Sequence, residues 1–134
     1  MPGAEHDELV ERGLKAGSNL VVAGAPEDYR HLIAPAPEGM RIGSRLDSST
    51  DIVHLFSTQR AELERFLLSC RSKLGPDAAI WVSWPKKSSG VSTDITEDTI
   101  REVALPLGFV DIKVCAVSDV WSGLKLVIRK SERP

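Results

Sequence analysis

Residues 80–98 read Ile80-Trp81-Val82-Ser83-Trp84-Pro85-Lys86-Lys87-Ser88-Ser89-Gly90-Val91-Ser92-Thr93-Asp94-Ile95-Thr96-Glu97-Asp98, and this stretch decides the fold. Its opening run, with Ala78 and Ala79 ahead of it, is apolar, rich in β-formers and too short for a helix. It stops at Pro85, as a buried strand does. A basic loop of lysines, serines and a glycine follows, and then a helix start. Thr96 is the best cap of that helix, and Asp94 with Glu97 three positions later is a competing capping box. Ile95 can pack on Ile100 as a hydrophobic staple, while Glu97 and Asp98 fall in the positively polarised first turn. Strand, basic loop, helix is the order in which open α/β sheets place ligand sites, at the carboxyl ends of their strands.

Upstream, Asp51-Ile52-Val53-His54-Leu55-Phe56 is a second strong strand, and Ser57-Thr58 can cap the helix after it. In that helix Leu63, Phe66, Leu67, Cys70 and Leu74 form one apolar stripe, with Glu62, Glu64, Arg65 and Arg71 opposite. Gly75-Pro76-Asp77 then turns the chain into the strand at residues 78–84. Further back, Asn19-Leu20-Val21-Val22-Ala23-Gly24 is a near-continuous apolar run, as expected of a strand covered on both faces. A short helix is expected over residues 8–15, another from Pro26 to about residue 33, and a short strand over residues 40–42. Only eight residues separate Ile42 from Asp51, which span about 27 Å when extended; that crosses a sheet face but leaves no room for a helix.

Downstream, Ile100, Val103, Ala104 and Leu107 face inward from a helix that ends near Gly108. Residues 109–117 and 121–129 read as strands joined by a tight turn at Ser118-Asp119, and so must be antiparallel. The order β-α-β-β-α-β-α-β-β predicts an α/β, Rossmann-like three-layer domain. Its mostly parallel sheet has about six strands and a C-terminal antiparallel hairpin strand. At 134 residues the chain is expected to form one domain, with residues 1–7 frayed and 130–134 a polar tail.

Composition narrows the function. The chain is 42% hydrophobic and 27% charged, with a net charge of −2, so no global field draws in nucleic acid or an anionic membrane. No apolar run approaches a membrane span, and no signal pattern opens the chain, so a cytoplasmic location is expected. The two cysteines, Cys70 and Cys115, lack metal spacing and read as reduced, buried thiols. The three histidines, His6, His31 and His54, are scattered, and His54 reads as structural, so no metal site is predicted. Ser83 lies outside any G-x-S-x-G elbow, and the lysine loop is not a Walker A.

Two resemblances add to this reading. W-P-K-K-S-S-G-V-S-T-D-I-T-E-D, with R-E-V-A-L-P-L-G-F-V-D-I-K-V-C-A-V and W-S-G-L-K-L-V after it, resembles an uncharacterised bacterial family of domains of unknown function, from Leu14 onward. The layout is also similar to class I S-adenosylmethionine methyltransferases, whose sheet ends in a reversed hairpin strand. D-I-V-H-L-F, the helix, and L-G-P-D-A-A-I-W-V-S-W resemble their fourth and fifth strands. Those enzymes have G-x-G-x-G after the first strand and an acidic ribose ligand after the second. Here the segments read Gly24-Ala25-Pro26-Glu27-Asp28 and Arg41-Ile42-Gly43-Ser44-Arg45, so no cofactor is predicted.

On this topology the loops at Gly24, Ser57-Thr58 and 84–90, and the turn at Asp119, share the carboxyl edge. The candidate ligand-binding residues are Trp84, Lys86, Lys87, Ser88, Ser89, Gly90, Thr93, Asp94, Asp119 and Trp121. The lysines read as anion capture or as a solvated loop. The tryptophans read as a stacking wall or as the edge of a core, and Asp94 and Thr96 as helix caps before catalysts. With no defensible acid/base pair, the expectation is a non-catalytic module for a small anionic ligand or a protein partner. A divergent methyltransferase or other transferase is the alternative, and a weak nucleic-acid binder a more remote one.

Overall fold

The computed structural model describes residues 19–26, 41–43 and 45–132. Six strands form one sheet: β1 (Asn19–Ala23), β2 (Arg41–Gly43), β3 (Ile52–Phe56), β4 (Ala79–Pro85), β5 (Phe109–Ala116) and β6 (Trp121–Ile128). Their spatial order is β2-β1-β3-β4-β6-β5. The first four run parallel, and β6 lies antiparallel between β4 and β5. The mostly parallel α/β sheet with a reversed C-terminal strand is therefore as expected. The expected helix over residues 8–15, and all but the first residue of the one from Pro26, lie outside the described residues, as do His6 and His31.

Among the described residues two helices, α1 (Arg60–Lys73) and α2 (Glu97–Ala104), cover one face. Leu63, Leu67, Cys70 and Leu74 meet Val53, Leu55, Ile80 and Val82 of the sheet, with Ile100, Val103 and Ala104 beside them. Each large aliphatic side chain enclosed there contributes about 1.5–3 kcal/mol. The other face of the sheet is also closed, around Leu20, Ile52, Phe56, Trp81 and Val117. Gly123 makes room there for the Trp81 indole: a Cβ would stand 2.9 Å from Val117 and 3.2 Å from the ring. Burial on both faces is why β1, β3 and β4 read as unbroken apolar runs.

The helix starts differ from expectation in their partners. Neither Ser57 nor Thr58 caps α1; its cap position is Gln59, whose side chain makes no capping bond. Asp94 instead accepts the Arg60 N–H at 2.7 Å from across the structure. Ser57 Oγ braces the bend before it, donating to the Gln59 carbonyl and accepting its N–H. Thr96 caps α2 as expected, with Thr99 as its reciprocal partner, and the competing Asp94–Glu97 box does not form. Glu97 turns to Arg101, at 2.7 Å, which also binds Asp111 at 3.0 Å. The staple forms, with Ile95 and Ile100 both buried. Cys70 is enclosed, and burial pushes its thiol up to about 12. Cys115 packs on the other core cluster but is only half-buried, a correction to its expected burial: β5 is the outermost strand, so one side of it lacks a neighbour.

No helix occupies the described part of the β2–β3 connection. Residues 47–50 form a compact turn, in which Asp47 accepts from Ser49 N–H at 2.8 Å and from Ser49 Oγ at 2.6 Å. These bonds, foremost that from the hydroxyl, hold the Asp47 carboxyl below the usual carboxylate range. Leu46 packs on the helix-side core, so the loop crosses that face.

Candidate functional site

The carboxyl edge is built from the ends of β1, β3 and β4 and from the β5–β6 turn, as the register requires. Pro85, the last residue of β4, pairs with Trp121, the first of β6. Gly24 leaves β1 with φ +68°, and a Cβ there would sink into the Phe56 carbonyl oxygen, so this turn tolerates only glycine without rearrangement.

The loop after β4 is held at both ends. Lys86 N–H donates to the Val120 carbonyl at 2.7 Å, tying it to the hairpin turn. Thr93 Oγ1 donates to the Thr58 carbonyl at 2.8 Å and Asp94 N–H to the same oxygen at 3.3 Å, tying it to the start of α1. Between these anchors residues Lys87–Ser89 make a single 3-10 turn. Ser89 Oγ donates to the Lys86 carbonyl at 2.6 Å and accepts from Val91 N–H at 3.2 Å. Gly90 closes the turn at φ +76°, and a Cβ would meet nothing within 4 Å, so the glycine serves the backbone angle and its surface is open.

These bonds sort the candidates. Ser89, Thr93 and Asp94 build the frame. Lys86 is half-buried, and Lys87, Ser88, Gly90 and Asp119 are exposed on its outer surface. Among the described residues neither lysine has an ion-pair partner. Trp84 and Trp121 do not form a shared wall. Trp84 pairs with Ser122 and Pro85 with Trp121, so alternation puts the two indoles on opposite faces. Trp84 belongs to the helix-side core, whereas Trp121 packs on the other cluster, edge-on to Phe56 at 5.0 Å.

The sheet also makes a contact absent from the candidate residues. His54 Nε2 lies 3.0 Å from Ser83 Oγ, on neighbouring strands and both enclosed. His54 stacks on Phe56 at 4.4 Å. The pair has the spacing of a nucleophile and its base, but Ser83 is wholly buried within β4, where the contact satisfies two polar groups in a core. Strand alternation with β3 beside β4 was the signal for it. Among the described residues no cluster of three or more His, Cys, Asp or Glu side chains could hold a metal, and no helix is long and apolar enough to cross a membrane.

Solved structures share this fold. A putative type 11 methyltransferase from Sulfolobus solfataricus superposes with a TM-score of 0.67 at 13% identity, covering 100% of this chain and 95% of that one. A SAM dependent methyltransferase from Aquifex aeolicus gives 0.63 at 14% identity, over 92% and 89% of the two chains. A possible exported protein from Bordetella parapertussis gives 0.64 at 10% identity, over 95% of this chain but 66% of its own, slightly under two thirds. At such identities the likeness establishes the fold alone. No curated protein sequence matches the chain. One family does match, over residues 27–130, and the chain belongs to it: the family described as protein of unknown function (DUF3052).

Proposed function

We propose that this domain is a non-catalytic binding module whose carboxyl edge takes a small anionic ligand, or a protein partner that presents an anionic group, at residues 86–90. One observation carries this reading. The loop is braced at Lys86, Ser89, Thr93 and Asp94, yet among the described residues its two ammonium groups have no carboxylate partner. A rigid frame that presents unpaired cations has already met part of the ordering cost of binding. Asp119, exposed in the turn that the Lys86 N–H is bonded to, keeps the net charge of this edge low, which favours a small anion over a polyanion such as nucleic acid. We assign the module no cofactor and a cytoplasmic location, in keeping with its enclosed Cys70 thiol.

The test is a thermal-shift and calorimetric screen of nucleotides, S-adenosylmethionine and phosphorylated metabolites on the intact protein, since a ligand of the native state raises the midpoint by mass action. A hit should lose at least about tenfold in affinity in Lys86→Ala/Lys87→Ala, with stability unchanged within about 0.5 kcal/mol. Hits that bind this variant normally would remove the loop from the site.

A divergent methyltransferase is the second reading, favoured by the shared fold together with the left-handed Gly24 turn where β1 ends. Micromolar binding of S-adenosylmethionine would promote it.

A further inference from the structure

A groove of about 180 Å³ opens beside β1 and β2, between Asn19, Arg41, Gly43, Arg45 and the turn carrying Ser49 and Thr50. It lies where the described part of the connection from β2 to β3 is a loop, and among the described residues no helix covers the sheet there. Register places Arg41 opposite Asn19 and Gly43 opposite Val21, on the face that the loop crosses. Gly43 leaves the floor open, since a Cβ on it would meet nothing within 4 Å.

The walls are already committed to one another. Asn19 Nδ2 donates to the Ser49 carbonyl at 2.9 Å, and Asn19 N–H donates to Asp51 at 2.8 Å. Thr50 Oγ1 accepts from Asp47 N–H at 3.2 Å. Asp47, the carboxylate in the lining, is held by both Ser49 groups. Arg41 and Arg45 are different. Both are exposed, and among the described residues neither makes a salt bridge, although Arg45 stands near enough to Asp47 to help lower its carboxyl. The groove therefore offers two guanidinium forks from a braced frame.

We propose that this groove binds a phosphate monoester. One guanidinium satisfies both oxygens of a carboxylate in a bidentate pair. Two forks around one cavity match an anion with three terminal oxygens and a double charge, and with Arg45 partly offset by Asp47 the groove keeps a net positive charge from Arg41. The site is separate from residues 86–90: it adjoins the start of β1 rather than its end, and β2 and β4 are three strand spacings apart, about 14 Å.

Phenyl phosphate is the probe, with benzoate as its carboxylate counterpart, titrated into the isotopically labelled full chain at constant ionic strength while the Asn19 and Gly43 amides are followed. Saturable shifts are expected with phenyl phosphate, at least about tenfold weaker ones with benzoate, and at least tenfold weakening in Arg41→Gln/Arg45→Gln. Lys86→Ala/Lys87→Ala is read at the Asn19 and Gly43 amides alone, where the phenyl phosphate shifts should saturate as in the parent whatever anion binding is lost at residues 86–90. Should the two probes bind equally, or phenyl phosphate fail to saturate, or the lysine variant lose binding while the arginine variant keeps it, the assignment is wrong. Because the arginines are exposed, unchanged amide dispersion in their variant separates lost binding from lost folding.

Discussion

Removing Asp94 tests whether a residue ahead of α2 caps α1. Its carboxylate accepts the Arg60 N–H at 2.7 Å, at a helix start whose own cap residue contributes no side-chain bond. Loss of a carboxylate cap costs about 1 kcal/mol, and loss of a negative charge at the first turn a further 0.3–1 kcal/mol or so. Asp94→Ala should thus destabilise the fold by about 1.5 kcal/mol. With a urea m-value of about 2 kcal/mol/M, the midpoint falls by about 0.75 M with no change in slope. Asp94→Asn keeps an acceptor and loses only the charge, so it should cost about 0.3–1 kcal/mol. Thr96→Ala removes the reciprocal bonds with Thr99 at the start of α2 and should cost about 1 kcal/mol independently. Urea unfolding followed by tryptophan fluorescence and by circular dichroism supplies all three values. If Asp94→Ala unfolds within about 0.3 kcal/mol of the parent while Thr96→Ala shows its full loss, the cap is not stabilising. Asp94 would then return to the ligand-binding candidates.

Gly24→Ala should cost at least about 2 kcal/mol, because a left-handed backbone and a collision with the Phe56 carbonyl act together; thermal unfolding reads it. Leu67→Ala, at a fully enclosed position, should cost about 2–5 kcal/mol by the same method, and a value under 1 would contradict the packing of α1. Native labelling with a thiol reagent should be slow at Cys70 and faster at half-buried Cys115. Cys70 holds its proton to about 12 when folded, against 9.0 in the unfolded chain, so its contribution is intact below pH 9 and lost as pH rises towards 12. The alkaline stability slope should therefore shrink by up to about 1.4 kcal/mol per pH unit in Cys70→Ala. S-adenosylmethionine should show no binding tighter than millimolar by calorimetry; a micromolar constant would overturn the cofactor reading.

Much of the fold was legible because strands and helices here are written in short-range pattern. The run at residues 78–84 is apolar on both alternations, and β4 is buried on both faces. Leu63, Leu67, Cys70 and Leu74 share one helical stripe and are the buried positions of α1 and its end. Ile95 and Thr96 mark the start of α2 within a few residues of chain. Even the missing helix between β2 and β3 followed from chain length, since a segment too short for a crossover helix must be a loop.

What the sequence alone determined, then, was what neighbours along the chain decide: element type, the parallel order with its reversed last strand, and the loop after β4 as the exposed basic segment. Tertiary structure decided the rest, because the partners are far apart in sequence and a strand's facing depends on register. Asp94 resembled a cap for the helix beside it, and the fold delivered it to one that starts 34 residues earlier. Trp84 and Trp121 looked like partners until the pairing of Pro85 with Trp121 put them on opposite faces. His54 and Ser83, 29 residues apart, carry no shared motif, yet adjacent strands bring them to 3.0 Å. Arg41 and Arg45 marked only a departure from a cofactor motif in the linear chain, and the crossing loop gathered them around one groove. Side-chain chemistry is local, but which side chains meet is set by how the strands pair, and a one-residue slip would reverse every facing.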